Sequence, residues 1–145
     1  IGAALDPTFA DAARRTEALS PRYRWLGALD RAQTRQRIRR AHLLVNTSRM
    51  EGGAQVILEA ACSDTAVLAT NVPGNIGMLG RRHAGTFDVG DDAWLAHLIE
   101  RAADDRGFLA RLRAQTGARA PLFEPAEEER RLVRLVRSAL RSRPR

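Results

Sequence analysis

His42-Leu43-Leu44-Val45-Asn46 leads, through Thr47, into Ser48-Arg49-Met50-Glu51-Gly52-Gly53-Ala54-Gln55-Val56-Ile57-Leu58-Glu59-Ala60. The first stretch is a short apolar run of the kind buried on both faces of a sheet. The second starts with polar residues and paired glycines and continues with helix formers, which predicts a helix over 53–62. A strand, a glycine-containing loop and a helix in that order make a ready anion site, because the first helical N–H groups lack intrahelical partners. Carboxylates on each side of the turn, Glu51 and Glu59, suit a ligand that carries hydroxyls as well as phosphate, the combination found in a nucleotide-sugar.

The same alternation continues outward. Ala66-Val67-Leu68-Ala69-Thr70 is a second buried strand, followed by a glycine-containing loop over 71–77, and Gly85-Thr86-Phe87-Asp88-Val89 is a third, shorter strand. Upstream, Asp6-Pro7 starts a helix that runs to Leu19 and stops before Pro21. Tyr23 to Leu26 reads as a strand closed by Gly27, and Asp30 caps a helix through Arg40. Downstream, helices are predicted from Asp91-Asp92 to Ala103, from Arg106 to Gly117 and from Pro125 to Leu140. Strands separated by helices, with no hairpin signal, predict an α/β fold: a parallel sheet with helices on both faces. Ligands of such sheets sit at the C-terminal strand ends, where both glycine-rich loops fall.

Composition narrows the partners. The 145 residues, 44% apolar, suffice for one domain spanning 1–145. No run of 18 apolar residues and no leader is visible, so no membrane insertion is expected. The lone Cys62 excludes an internal disulfide, suits a reducing cytoplasm and reads as a small buried side chain. All 24 basic residues are arginine against 17 acidic ones, giving a net charge of +7. Arginine without lysine, beside abundant alanine, suggests a GC-rich bacterial source. The clusters at Arg35–Arg40 and Arg130–Arg145 are not interleaved with aromatics and read as solvated helix faces, so no nucleic-acid partner is expected. The end, Arg141-Ser142-Arg143-Pro144-Arg145, is expected to fray. Ile1-Gly2 reads as the end of a strand and the turn after it. The chain is therefore expected to be a piece of something longer, and the exposed edge of its incomplete sheet leaves room for a homodimer.

Single residues have plainer readings. Glu51 could complement a helix dipole, and Glu59 alone reads as a solvated helix residue. His42 reads as a packed strand histidine, His83 and His97 as surface residues, and Trp25 and Trp94 as core. Gly74 and Gly77 could be turn glycines. No His/Cys/Asp cluster has metal-ligand spacing, and no Ser or Cys nucleophile signature is present.

Taken together, the Ser-x-x-Glu-Gly loop, the Glu59-Ala60 pair with its Glu-x7-Glu spacing and the Trp25-Leu26-Gly27 segment resemble the C-terminal, donor-binding domain of retaining GT-B glycosyltransferases of the group 1 (family 4) type. That implies a Rossmann-like half of a GT-B fold, partnered by an N-terminal acceptor domain. Within that group, Glu51-Gly52-Gly53-Ala54, Pro73-Gly74-Asn75-Ile76-Gly77-Met78-Leu79-Gly80, Phe87-Asp88-Val89-Gly90-Asp91 and Ala120-Pro121-Leu122-Phe123 resemble the selenosugar synthases of selenoneine biosynthesis. The resemblance implies UDP-GlcNAc as donor and selenophosphate as acceptor, with no cofactor and no metal. Glu59 would accept hydrogen bonds from the ribose hydroxyls. Glu51 would lie near the donor hexose as the catalytic carboxylate. The N–H groups of Gly52, Gly53 and Ala54 would meet sugar and diphosphate, with Ser48, Gly74 and Asn75 completing the donor-binding set.

Two departures stand out. Asp64-Thr65-Ala66 replaces the usual Gly-x-Pro, which would put Asp64 in a left-handed helix C-cap. The Arg and Lys that hold diphosphate in the group would lie before Ile1, so the piece by itself is expected to be inactive. Open alternatives are a general group 1 glycosyltransferase with a carbohydrate or lipid acceptor, a non-catalytic nucleotide-sugar- or nucleic-acid-binding α/β module, and another GT-B enzyme such as a sugar epimerase.

Overall fold

The structure, a computed structural model, describes residues 1–141, so the expected fraying of residues 142–145 lies outside the described residues. The chain divides into two compact units, Ile1–Arg37 and Ile38–Arg145.

The first unit is built on α1 (Pro7–Leu19) and most of α2 (Arg31–Arg40). Both helices start where their caps dictate. Asp6 Oδ1 accepts from the Thr8 N–H at 2.8 Å, with Pro7 in the first turn. Asp30 Oδ1 accepts from the Gln33 N–H at 2.7 Å while Gln33 Oε1 accepts from the Asp30 N–H at 3.3 Å, a reciprocal capping box. The expected strand at Tyr23–Leu26 does not form. Within this unit the segment has no parallel neighbour to share a ladder with. The segment is instead held by the Gly2 N–H, which donates to the Gly27 carbonyl at 2.8 Å, by the Tyr23 N–H, which donates to the Ser20 carbonyl at 3.0 Å, and by the Trp25 indole N–H, which donates to the Gly2 carbonyl at 3.2 Å. Trp25 is half-buried beneath the Arg14 guanidinium, 5.6 Å from its ring centre, rather than in a core.

The second unit contains β1 (Leu43–Asn46), α3 (Gln55–Ala61), β2 (Ala66–Thr70), α4 (Pro73–Leu79), β3 (Thr86–Phe87), α5 (Asp92–Asp104), α6 (Arg106–Gly117), a 3-10 turn (Ala120–Phe123) and α7 (Pro125–Arg141). The strands form one parallel sheet in the order β1-β2-β3, with Leu43 opposite Ala66 and Ala69 opposite Thr86. β2 is buried along its whole length, and its alternating side chains feed two cores. Val67 and Ala69 pack with Ile38, Ile57, Ala60 and Leu79 on one face. Ala66 and Leu68 pack with Phe87, Leu98, Phe108 and Leu112 on the other. Helices therefore cover both faces, as the alternation predicts. Each fully buried Val or Leu contributes roughly 1.5–3 kcal/mol.

Several local expectations are corrected. The third strand keeps only Thr86 and Phe87, because the Asp88 carbonyl turns to accept from the Asp91 N–H at 3.1 Å, while its side chain accepts from Asn71 Nδ2 at 3.2 Å. The helix expected from Gly53 starts at Gln55 behind Ala54, which supplies no side-chain cap, so both glycines remain in the loop. The loop expected over 71–77 instead becomes helical from Pro73, whose fixed φ suits the first turn. Cys62 and His42 are exposed rather than buried, one ending α3 and the other preceding β1. Trp94 is 46% exposed and stacks on His97 with ring centres 4.9 Å apart. His83 is buried rather than a surface residue, its Nε2 2.9 Å from the Val67 carbonyl. Asp64 is left-handed, at φ +55°, but two residues past the right-handed Cys62 that caps α3, and the Thr65 N–H closes the helix end on the Ala60 carbonyl at 3.0 Å. No helix among the described residues is long and apolar enough to cross a membrane.

Candidate functional site

β1 and β2 end side by side, so the segments that follow them meet at the C-terminal edge of the sheet. Asn46, the last residue of β1, turns the chain: its Oδ1 accepts from the Ser48 N–H at 3.0 Å. Thr70, the last residue of β2, donates its hydroxyl to the Ser48 carbonyl at 2.6 Å. Asn75, fully buried in α4, donates from Nδ2 to the Thr70 carbonyl at 3.1 Å and to its Oγ1 at 3.0 Å. Asn75 Oδ1 has no hydrogen-bond partner among the described residues. This relay straps the start of the 47–54 loop to the end of β2. Each such bond contributes about 0.5–1.5 kcal/mol net, and breaking one in the interior costs more.

Farther along the loop, the contact is steric. A Cβ on Gly74 would overlap the Glu51 carbonyl oxygen and lie 2.6 Å from its carbonyl carbon. Gly74 therefore acts by what it lacks, letting the first turn of α4 press on the Glu51 backbone. Glu51 is half-buried, and Gly52 and Gly53 are exposed. A Cβ on Gly53 would make only an ordinary contact, 3.6 Å from Met78 Sδ. Ala54 is buried at the α3 N-cap, its carbonyl accepting from the Ile57 N–H at 2.9 Å. Because α3 is seven residues long, any anion here would be held by individual N–H groups and little by a helix dipole.

Glu59 departs from the solvated reading: it is only 6% exposed. A carboxylate is seldom buried so far without polar partners, and Glu59 does interact with another group. The structure thus brings Ser48, Glu51, Gly74 and Asn75 into one hydrogen-bonded and packed unit, with Gly52, Gly53 and Ala54 continuing the same loop and Glu59 two turns into the following helix.

Sequence reasoning missed Asn46 and Thr70. The available signal was a polar residue closing each apolar strand, Asn46 after Leu43-Leu44-Val45 and Thr70 after Ala66–Ala69. A groove of about 350 Å³ continues along the same edge, lined by Asn71, Phe87, Asp88, Asp91 and Trp94. Among the described residues no three His, Cys, Asp or Glu side chains are grouped to hold a metal ion.

Residues 10–121 match the family model described as "Glycosyl transferases group 1". No curated protein matches the chain.

Proposed function

From the premise that this chain belongs to the group 1 glycosyl transferases, we propose that residues 1–145 are the donor-binding half of a GT-B enzyme that transfers a hexosamine from UDP-GlcNAc to selenophosphate. The observation that carries the donor half of this reading is the strapped 47–54 loop, which offers an exposed Gly52-Gly53 between a half-buried Glu51 and a buried Glu59. The selenosugar part rests on the sequence resemblance of the 51–54, 73–80, 87–91 and 120–123 segments.

In this reading the diphosphate lies against the N–H groups of Gly52, Gly53 and Ala54, where no Cβ from either glycine blocks approach. Glu59 accepts hydrogen bonds from the ribose hydroxyls. Glu51, its backbone fixed by Gly74, faces the hexose and stabilises positive charge that develops at the anomeric carbon. A selenium lone pair of selenophosphate forms the new bond to that carbon as the bond to the β-phosphate oxygen breaks, and UDP leaves with the electron pair. We expect the leaving charge to be met by N–H groups and basic side chains without a metal, the acceptor to be held by an N-terminal domain, and the enzyme to work in the cytoplasm.

Calorimetric titration of the chain with UDP and UDP-GlcNAc tests the reading, beside Glu59→Gln, which keeps the side-chain shape, and Glu59→Ala. Hydrogen bonds to a charged group contribute about 1.5–3 kcal/mol. Loss of the carboxylate should therefore weaken binding about 10- to 150-fold. Binding that is unchanged in both variants removes Glu59 from the site. Full-length protein that fails to consume UDP-GlcNAc with selenophosphate, while it binds UDP, removes the selenosugar assignment and leaves the donor half standing.

A further inference from the structure

α4 cannot hold its own place. It is seven residues long, contains two glycines and follows Val72, which provides no side-chain cap. A helix that short is marginal unless something outside it fixes it. Yet both of its ends bear on the candidate site. Gly74, in the first turn, presses on the Glu51 backbone. Met78, in the last turn, lies against Gly53, its Sδ 3.6 Å from where a Cβ would be.

Asn75 ties the N-terminal end of α4 to β2 through Thr70. The C-terminal end is tied by a residue more than forty positions away. Arg119 Nε donates to the Met78 carbonyl at 2.7 Å, and Arg119 Nη2 donates to the Gly77 carbonyl at 3.1 Å. Carbonyls in the last turn of a helix have no intrahelical N–H to accept from. A planar guanidinium reaches two of them at once, which a lysine ammonium does not do with the same fixed fork. Beyond them the Gly80 N–H donates to the Ile76 carbonyl at 2.8 Å and closes the helix.

Arg119 is itself firmly mounted. It lies between α6 and the 3-10 turn, its N–H donating to the Thr116 carbonyl at 3.0 Å and its carbonyl accepting from the Leu122 N–H at 3.0 Å. Thr116 and Leu112, about one and two turns back along α6, are fully buried. The half-buried Arg119 side chain thus reaches α4 from a fixed base.

We propose that Arg119 is a positioning residue for nucleotide-sugar binding. By gripping the C-terminal end of α4 it holds Gly74 against Glu51 and Met78 against Gly53, and so sets the donor loop without touching the donor. The proposal rests on the donor-binding reading of that loop. With the grip removed, α4 stays anchored at Asn75 and its far end is free to swing. Met78 then leaves Gly53, and the N–H groups of Gly52 and Gly53 lose their common aim. A helix cap with no further role would act differently: its loss would lower stability and leave the affinity of folded protein unchanged. A positive charge acting at a distance on the diphosphate would differ again, since lysine would serve as well.

Calorimetric titration with UDP-GlcNAc compares the protein with Arg119→Ala and Arg119→Lys, at a temperature where circular dichroism shows each variant folded. Residues that act through a network rather than on the ligand change affinity by about 2- to 30-fold. Arg119→Ala should weaken binding within that range. Arg119→Lys, which keeps the charge and loses the fork, should weaken it as well. Arg81→Lys and Arg82→Lys are the controls, exposed arginines bordering the same groove as Arg119, and should bind as the unaltered protein does. The amide resonance of Gly53, recorded without ligand, should shift in both Arg119 variants and in neither control. Unaltered affinity in folded Arg119→Ala, unaltered affinity in Arg119→Lys, or a Gly53 resonance that neither substitution moves would overturn the proposal. If the unaltered protein does not bind UDP-GlcNAc, the donor-binding reading falls, and the Gly53 resonance still decides whether Arg119 sets the loop.

Discussion

Gly74→Ala isolates the contact between α4 and the Glu51 loop. In most helices the change would stabilise, since alanine is favoured over glycine by up to about 1 kcal/mol. Here the new methyl would start 2.6 Å from the Glu51 carbonyl carbon and overlap the carbonyl oxygen. Carbon atoms in contact sit about 3.5–4.0 Å apart, so loop and helix must separate by about 1 Å. Overpacking of that kind costs about 1–3 kcal/mol, and with a propensity gain of about 1 kcal/mol deducted a net loss of up to about 2 kcal/mol is expected. For a chain of this size that lowers Tm by up to about 6 °C. Gly77→Ala provides the control on the same helix: nothing lies within 4 Å of its Cβ position, so it should stabilise by about 0.5–1 kcal/mol. Urea denaturation followed by circular dichroism compares the two. If Gly74→Ala is as stable as Gly77→Ala, the steric argument is wrong. If Glu51 has its proposed role, a displacement of about 1 Å should also cost about 100-fold in transfer rate by the full-length enzyme.

Two further outcomes follow from single residues. Asp64→Gly should stabilise by about 0.5–1 kcal/mol by relieving a left-handed L-residue. The accompanying loss is small, because the ion pair to Arg113 at 3.9 Å is exposed; a lower urea midpoint would show that this contact outweighs the backbone term. Burial holds the His83 imidazole below its usual pKa, while the bond to the Val67 carbonyl pulls less strongly the other way. Folded His83 therefore resists protonation. Stability should be full above the unfolded value of about 6.5 and fall as pH drops below it, because the unfolded chain binds the proton first. His83→Gln should flatten that slope between pH 7.5 and 5.5, and an unchanged slope would assign the acid sensitivity to other groups.

What could be read before the structure tracks the capping chemistry. Helices with an aspartate N-cap at Asp6, Asp30, Asp91 and Asp105 start where the sequence placed them or within one residue, because each side-chain oxygen receives a hydrogen bond from the first turn. α3 and α4 follow Ala54 and Val72, which make no such bond, and these are the two helices whose starts the sequence misplaces. Proline at the start of α4 was the available cue, and the helix-poor Pro-Gly-Asn run hid it. Burial was harder still. His83 goes inside because a carbonyl of β2 awaits it, and Trp94 stays outside because His97 gives it a partner on its own helix. At the candidate site, the loop and its glycines were legible from local pattern. The bond from Thr70 to Ser48 and the contact of Gly74 with Glu51 were not, since each joins segments more than twenty positions apart.

β2 has a consequence in time as well as in space. Four of its five residues contribute to the two apolar clusters, and its pairing partners lie about twenty residues away on either side, the kind of separation that slows folding. Neither core can consolidate until a crossover has brought a neighbouring strand to β2, so the conformational search of this unit converges on Ala66–Thr70. Once the strand is enclosed on both faces, its amides can exchange with solvent only when both cores come apart together. Two layers that share few side chains are thereby bound into one cooperative event by a single short strand.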